Sequence, residues 1–225
     1  MDLMEIFKLL ENEGNAENRE GMARFGINVE HAYGVSIPRL RKIAKEPGKS
    51  HALAQELWES SVHESKILAC LVDDPLKVTE GQMEKWVMDF DSWDICDLCC
   101  GNLFDRTPLA FRKAFEWSSR EEEFVKRAGF VLMAALSVHD KKADNEEFLD
   151  FLPVIKKEAT DGRNFVRKAV NWSLRQIGKR NAELNIAAIQ TAKELQAMES
   201  KSAKWIASDA IRELTGMAVR SRLSE

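Results

Sequence analysis

Apolar residues along this chain recur at three- and four-residue intervals, the spacing that lines one face of an α-helix. Met4, Phe7 and Leu10, with Ile6 and Leu9 between them, make such a stripe near the start, and Phe124, Ala128, Val131 and Ala135 make another with Arg127 inside it. Short polar breaks separate the runs, at 46–50 (EPGKS), 73–77 (DDPLK), 105–108 (DRTP), 138–145, 160–164 (TDGRN), 178–181 (GKRN) and 199–201. Each break holds Pro, Gly or a residue suited to capping a helix. The pattern predicts helices of one to two dozen residues joined by brief turns, with Pro38 opening one of them. With only 5 Pro, 11 Gly and 1 Tyr, and with Ala, Leu, Glu and Lys abundant, the class is all-α. A hydrophobic share of 44% suffices for one sizeable core, so residues 1–225 read as a single domain.

A weak repeat lies within this pattern. FVKRAGFVLMAAL from Phe124 aligns with FVRKAVNWSLRQI from Phe165 and, less well, with IASDAIREL from Ile206, a spacing of 41 residues each time. Two helices per unit at that period is the arrangement of HEAT and armadillo arrays, in which a helix pair cannot cover its own apolar face and stacks on its neighbours. The shared segment is then the second helix of each pair. HESKILACLV from His63 and DSWDICDLCC from Asp91 are degenerate earlier copies at about 30-residue spacing. Second helices line the concave side of such arrays, which puts Lys66, Asp97, Arg127 and Lys168 at or near one matching position. A strip of solvated charge would look the same in sequence.

Net charge of −4 does not by itself suggest a nucleic-acid partner. Its distribution changes the picture. Residues 163–225 carry 12 Lys/Arg against 6 Asp/Glu, a net of +6, which leaves −10 for the first 162 residues. The basic segment offers Arg163, Arg167, Lys168, Arg175, Lys179 and Arg180 as phosphate contacts. No run of apolar residues is long enough to span a bilayer and the first fifteen residues lack a signal pattern, so a cytoplasmic location without membrane contact is expected. Cys96, Cys99 and Cys100 crowd into five positions, with Cys70 apart, which suits buried thiols in a reducing compartment better than a disulfide framework. CDLCC finds no second ligand cluster to complete a zinc site, so no metal is expected. His31, His51, His63 and His139 suggest no triad, there is no Gly-rich phosphate loop, and the stretch before Tyr33 carries no assignable motif.

Two aromatic and polar pairs remain. Trp93 and Asp97 stand four apart in DSWDICDL, one turn apart on a helix face, and Lys168 and Trp172 do the same in VRKAVNWSLR. A carboxylate beside electron-rich rings suits a cationic sugar, whereas tryptophan at this spacing also serves as a core anchor. Asp94, three residues before Asp97, reads as a helix-face acid rather than as a second catalytic carboxylate.

The segments YGVSIPRLRKIAK from Tyr33, DSWDICD from Asp91, FVKRAGFV from Phe124 and NFVRKAVNWSLRQIGKRN from Asn164, in that order and spacing, resemble the bacterial HEAT-like DNA alkylation repair family over nearly the whole chain. The resemblance implies a right-handed α-α superhelix, a solenoid of HEAT/ARM-like helix pairs that holds duplex DNA in a concave basic groove. It further implies an alkylpurine DNA glycosylase, a monomer that removes positively charged N3- and N7-alkylated purines from double-stranded DNA with no cofactor, no metal and no base-flipping pocket. By motif, Asp97 matches the acid that stabilises the oxocarbenium-like sugar and positions water. Trp93 and Trp172 match the aromatics that pack on the deoxyribose and backbone, and Arg127 matches the groove arginine that holds phosphate. A cationic base needs no general acid, so one carboxylate suffices. The alternative is a non-catalytic HEAT-like scaffold that binds DNA structures or a protein partner; an Asp97 sealed inside the protein would favour it.

Overall fold

The computed structural model describes residues 1–223, and its chain divides into two compact units, Met1–Thr107 and the part from Pro108 onward. The division falls on the DRTP break, where a proline cannot continue a helix. Unit 1 contains α1 (Leu3–Asn12), α2 (Ala16–Arg24), α3 (Ile37–Ile43), α4 (His51–Glu59), α5 (His63–Val72), α6 (Glu80–Met88) and α7 (Trp93–Asn102), followed by a 3-10 turn, Phe104–Arg106. Unit 2 contains α8 (Ala110–Ser118), α9 (Glu123–His139), α10 (Asn145–Leu149), α11 (Phe151–Glu158), α12 (Asn164–Gly178), α13 (Ala182–Gln196), α14 (Lys201–Leu214) and α15 (Met217–Leu223). No strand occurs among the described residues, and none of their helices is long and apolar enough to cross a membrane.

The polar breaks supply the caps. Side chains of Asn15, Ser50, Thr79, Asn181 and Ser200 each accept a backbone N–H in the first turn of the helix that follows, and Asp2 and Glu5 form a reciprocal capping box on α1. Ser36 and Pro38 open α3, the proline costing nothing where no helical hydrogen bond is due.

In unit 1 the core centres on Trp58 and Trp86, parallel rings with centroids 4.0 Å apart, flanked by Phe90 and Phe104. The long connection between α2 and α3 is held from α5. Glu64, 1% exposed, accepts the backbone N–H groups of Tyr33 (3.0 Å), Gly34 (2.6 Å) and Val35 (3.2 Å). Gly34 adopts φ 82°, and a Cβ there would lie 2.2 Å from the carbonyl oxygen of Asn15, so both conformation and close approach require glycine. Helix α2 itself buries no residue.

In unit 2 the second helices of the predicted repeats, α9, α12 and α14, pack in series, with α8 against α9 and α13 against α12 and α14. Gly129 lets α8 and α9 approach so closely that a Cβ would be 2.4 Å from the Ser118 nitrogen. Phe124 and Phe165, equivalent at the 41-residue spacing, meet with ring centroids 5.6 Å apart. Five polar links between repeats instead join residues 38 apart: Arg127 to Phe165, Asn145 to Glu183, Lys156 to Glu194, Asn171 to Asp209 and Arg175 to Glu213. Side chains lean toward the N-terminus of their own helix, so each reaches a position one turn before its counterpart in the next copy. The two spacings are one register seen from the backbone and from the side-chain tips.

Candidate functional site

Unit 1 presents one candidate surface along α7. Its inner face carries Ile95, Cys96, Cys99 and Cys100, all buried, and its other face carries Trp93 and Asp97, both half-buried. The amphipathic spacing therefore turns the tryptophan and the carboxylate one turn apart toward the surface, and Asp97 is not sealed in the interior. The Trp93 indole nitrogen donates to the carbonyl oxygen of Phe25 at 3.0 Å, which ties the end of α2 to the start of α7. All four cysteines are free thiols and buried, and burial pushes the Cys99 and Cys100 thiols well above their ordinary range, so they act as small apolar residues under α7.

Asp94, on the same helix, has a partner of its own. One of its oxygens, Oδ2, lies 2.8 Å from Nε2 of His63, whose side chain is 4% exposed, and its Oδ1 is buried without a hydrogen-bond partner. Burial disfavours the charged imidazole, but the hydrogen bond and charge of Asp94, with Glu64 and Asp91 nearby, outweigh it and hold the His63 pKa above its ordinary value. A folded-state pKa raised above the unfolded value of about 6.5 adds stability below that pH, and the gain is lost as pH rises through the folded-state value. Thermal melts of the wild type across about pH 5.5 to 8.5 are expected to show this loss, and His63→Gln to flatten it. An unchanged pH profile in the variant would show that the pair does not titrate on unfolding.

The same residues line an open pocket of about 450 Å³ in unit 1. Its walls are mainly apolar, from Met22 and Phe25 of the α2 end, Ile67 of α5 and Trp93 of α7, with His63 and Asp94 as its charged lining. Sequence reading missed this pocket because its walls come from the stretch before Tyr33, which carries no motif, and from His63, which has no chemical neighbour along the chain. The roughly 30-residue offset between the α5 and α7 copies was the available signal, since His63 and Asp94 stand 31 apart.

Unit 2 carries the other candidates. Trp172 is half-buried and Lys168 is exposed on the same face of α12, and Lys168 makes no ion pair with any described residue. Arg167 lays its guanidinium over the half-exposed ring of Trp205, 4.5 Å from the centroid, a contact between α12 and α14 that the sequence did not suggest. The remaining cations have partners within the protein. Arg127 is 6% exposed and donates to the carbonyl oxygen of Phe165 at 2.6 Å. Arg163 pairs with Asp161 at 2.6 Å and donates to the Glu121 carbonyl oxygen. Arg175 and Lys179 share the Glu213 carboxylate, which burial would push up but these two cations hold below the usual carboxylate range. Arg180 donates to the carbonyl oxygens of Ser137 and Ala143 and stacks on Phe148. These five side chains link one repeat to the next. A count of basic residues could not reveal this, because the acceptors that engage them come from helices and turns distant in sequence.

Comparison with known proteins follows the same lines. The DNA alkylation repair enzyme family matches residues 6–214. An uncharacterized protein of Listeria innocua is 28% identical over 166 residues, 72% of either chain, and one of Listeria monocytogenes is 26% identical over the same length and share. A solved structure described as a new family of proteins related to the HEAT-like repeat DNA glycosylases with affinity for branched DNA structures is 20% identical to this chain. It covers 99% of this chain and 96% of its own at a TM-score of 0.81, so the two share the HEAT-like repeat fold. With 209 consecutive residues, 6–214, inside the family's span and the repeat architecture in place, this chain belongs to the DNA alkylation repair enzyme family.

Proposed function

We propose that this protein is a DNA glycosylase that hydrolyses the N-glycosidic bond of N3- or N7-alkylated purines in duplex DNA. The observation that supports the reading is the pair on α7: Trp93 and Asp97, one turn apart and both half-buried, an aromatic ring and a carboxylate on one face of the helix. An alkylated purine already carries positive charge. When its bond to C1′ breaks, the electron pair leaves with the base, which departs neutral, and positive charge develops on the sugar. Asp97 stabilises that charge and orients the water that adds at C1′; the water's proton passes to the carboxylate and on to solvent. Trp93, and Trp172 in unit 2, pack against deoxyribose and backbone. Lys168 and Arg167 contact phosphate, and Arg127 acts by holding α12 rather than by reaching the strand.

The direct test is release of 7-methylguanine or 3-methyladenine from alkylated duplex DNA by the wild type. No release would remove the reading. Lys168→Ala is expected to weaken duplex binding about equally for all sequences and to lower the slope of log affinity against log salt by about 1, because one phosphate contact is lost. An unchanged slope in a salt titration would take Lys168 out of the interface. A second reading, recognition of branched DNA without base release, is favoured by the shared fold with proteins having affinity for branched DNA structures. Gel-shift binding to a four-way junction in preference to duplex, together with no base release, would select it.

A further inference from the structure

Helices α12 and α14 of unit 2 pack on each other and carry an aromatic and basic surface between them. Arg167 and Trp205 stand in the same 38-residue register as Asn171 and Asp209 and as Arg175 and Glu213. Those other links are closed, because the carboxylates of Asp209 and Glu213 take up donors from Asn171, Arg175, Lys179 and Arg212. At Arg167 an indole ring stands in place of the carboxylate. The guanidinium lies over the ring, 4.5 Å from its centroid, and makes no hydrogen bond or ion pair with any described residue. Its Nε is buried, so the terminal amino groups are what the contact leaves for a ligand. Trp205 is 39% exposed, and its indole N–H has no acceptor among the described residues.

The charge around this ring is of one sign. Lys201, Lys204 and Trp205 are exposed together at helical spacing on α14, and Lys168 is exposed beside Arg167 on α12. None of the three lysines makes an ion pair with a described residue. Helix α12 contains no acid, and the two acids of α14, Asp209 and Glu213, are the ones already engaged further along the helix. Glu199, exposed ahead of α14, stands against four cations. A polyanion without rings would answer the lysines and leave the indole in water, whereas an apolar partner would cover the indole and strand the charges. A single strand of DNA answers both, since every base has a flat π face and every nucleotide brings a phosphate. A duplex keeps its base faces stacked on one another and can use only the cations.

We infer that Arg167 and Trp205, with Lys168, Lys201 and Lys204, form a binding surface for single-stranded DNA. An unpaired base stacks on the indole face that Arg167 leaves open, and the neighbouring phosphates lie on the lysines and on the terminal amino groups of Arg167. The stack with Trp205 holds the guanidinium in place before the strand arrives, which lowers the ordering cost of binding. This surface does not rest on the proposed glycosylase reading, whose substrate is duplex and whose acid, Asp97, belongs to unit 1. Arg167 and Lys168 can serve a phosphate of either form of DNA; Trp205 is the residue that tells the two apart.

The test uses the whole protein and unalkylated strands. Fluorescence anisotropy compares a labelled oligothymidylate of about ten nucleotides with a strand of equal length whose nucleotides lack bases. Both carry the same phosphates, so a difference between them reports stacking. The wild type is expected to bind the oligothymidylate about tenfold more tightly than the abasic strand, and Trp205→Ala to bind the two alike. Trp205→Phe, which keeps a ring beside Arg167, should retain a preference of about threefold or more. Affinity of Trp205→Ala for a blunt duplex should stay within about threefold of the wild type, since a duplex offers the ring no base face. Equal binding of both strands by the wild type would overturn the inference and leave a surface for polyanions in general, acidic peptides among them. An undiminished preference in Trp205→Ala, a loss of preference in Trp205→Phe as complete as in Trp205→Ala, or an equal loss of duplex affinity would each overturn it too. Base release from alkylated duplex is scored separately, so its absence would remove the glycosylase reading and leave this surface standing.

Discussion

Asp97→Asn is expected to lower single-turnover release of 7-methylguanine from alkylated duplex DNA by about a hundredfold or more, with DNA affinity held within about threefold. The size follows from the reaction. A cationic leaving group asks nothing of a general acid, so the protein's contribution is concentrated on the charge that develops at the sugar. Asparagine keeps the shape of the side chain and one acceptor oxygen and removes the charge. Asp97 is half-buried while Cys96, Cys99 and Cys100 are buried, so the near-isosteric exchange leaves the core side chains of α7 in place. Trp93→Ala is a poorer probe, since it also breaks the hydrogen bond to Phe25 that ties α2 to α7. Retention of release within about twofold by Asp97→Asn would move the chemistry to another residue.

The largest expected effect on stability is at Glu64. Its carboxylate accepts three consecutive backbone N–H groups, those of Tyr33, Gly34 and Val35, and the last two residues are buried. Alanine would leave these donors without partners where water cannot replace the carboxylate, at a cost of roughly 3–5 kcal/mol. For a chain of this length that corresponds to a melting temperature lower by on the order of 10 °C. A glutamine side chain would restore one acceptor oxygen but set an amide N–H₂ toward backbone donors, so Glu64→Gln should recover less than half of the loss. A fall below about 1 kcal/mol for the alanine variant in chemical denaturation would show that the connection between α2 and α3 is held by other contacts. The same connection supplies Gly34 and Val35 to the lining of the pocket beside Trp93.

Much of this fold is written locally. Ser50, Asn181 and Ser200 mark helix starts in the sequence and cap helices in the structure, and the Phe124, Phe165 and Ile206 segments are α9, α12 and α14. Such features are legible because capping and amphipathicity are settled within one or two turns of chain. The α7 pair is legible for the same reason, since a spacing of four places Trp93 and Asp97 on one face of any helix that contains them. The partner of Asp94 on the same helix is not legible, because whether a helix-face acid meets water or a buried imidazole depends on His63, 31 residues earlier.

The basic segment repeats that lesson with larger numbers. Arg163, Arg175, Lys179 and Arg180 look alike along the chain, yet Asp161, Glu213 and carbonyl oxygens of neighbouring elements engage them, while Lys168 in the same run is left exposed. From its order of residues alone the protein's helices, their period and the aromatic and acidic pair on α7 could be written down, since each depends on dihedral preferences and spacings within a few residues. Which cations are already neutralised, which acid is buried, and that a pocket lies beside Trp93 were decided only by tertiary packing. Coulombic pairing and desolvation act across space, between helices whose separation in sequence carries no record of their contact.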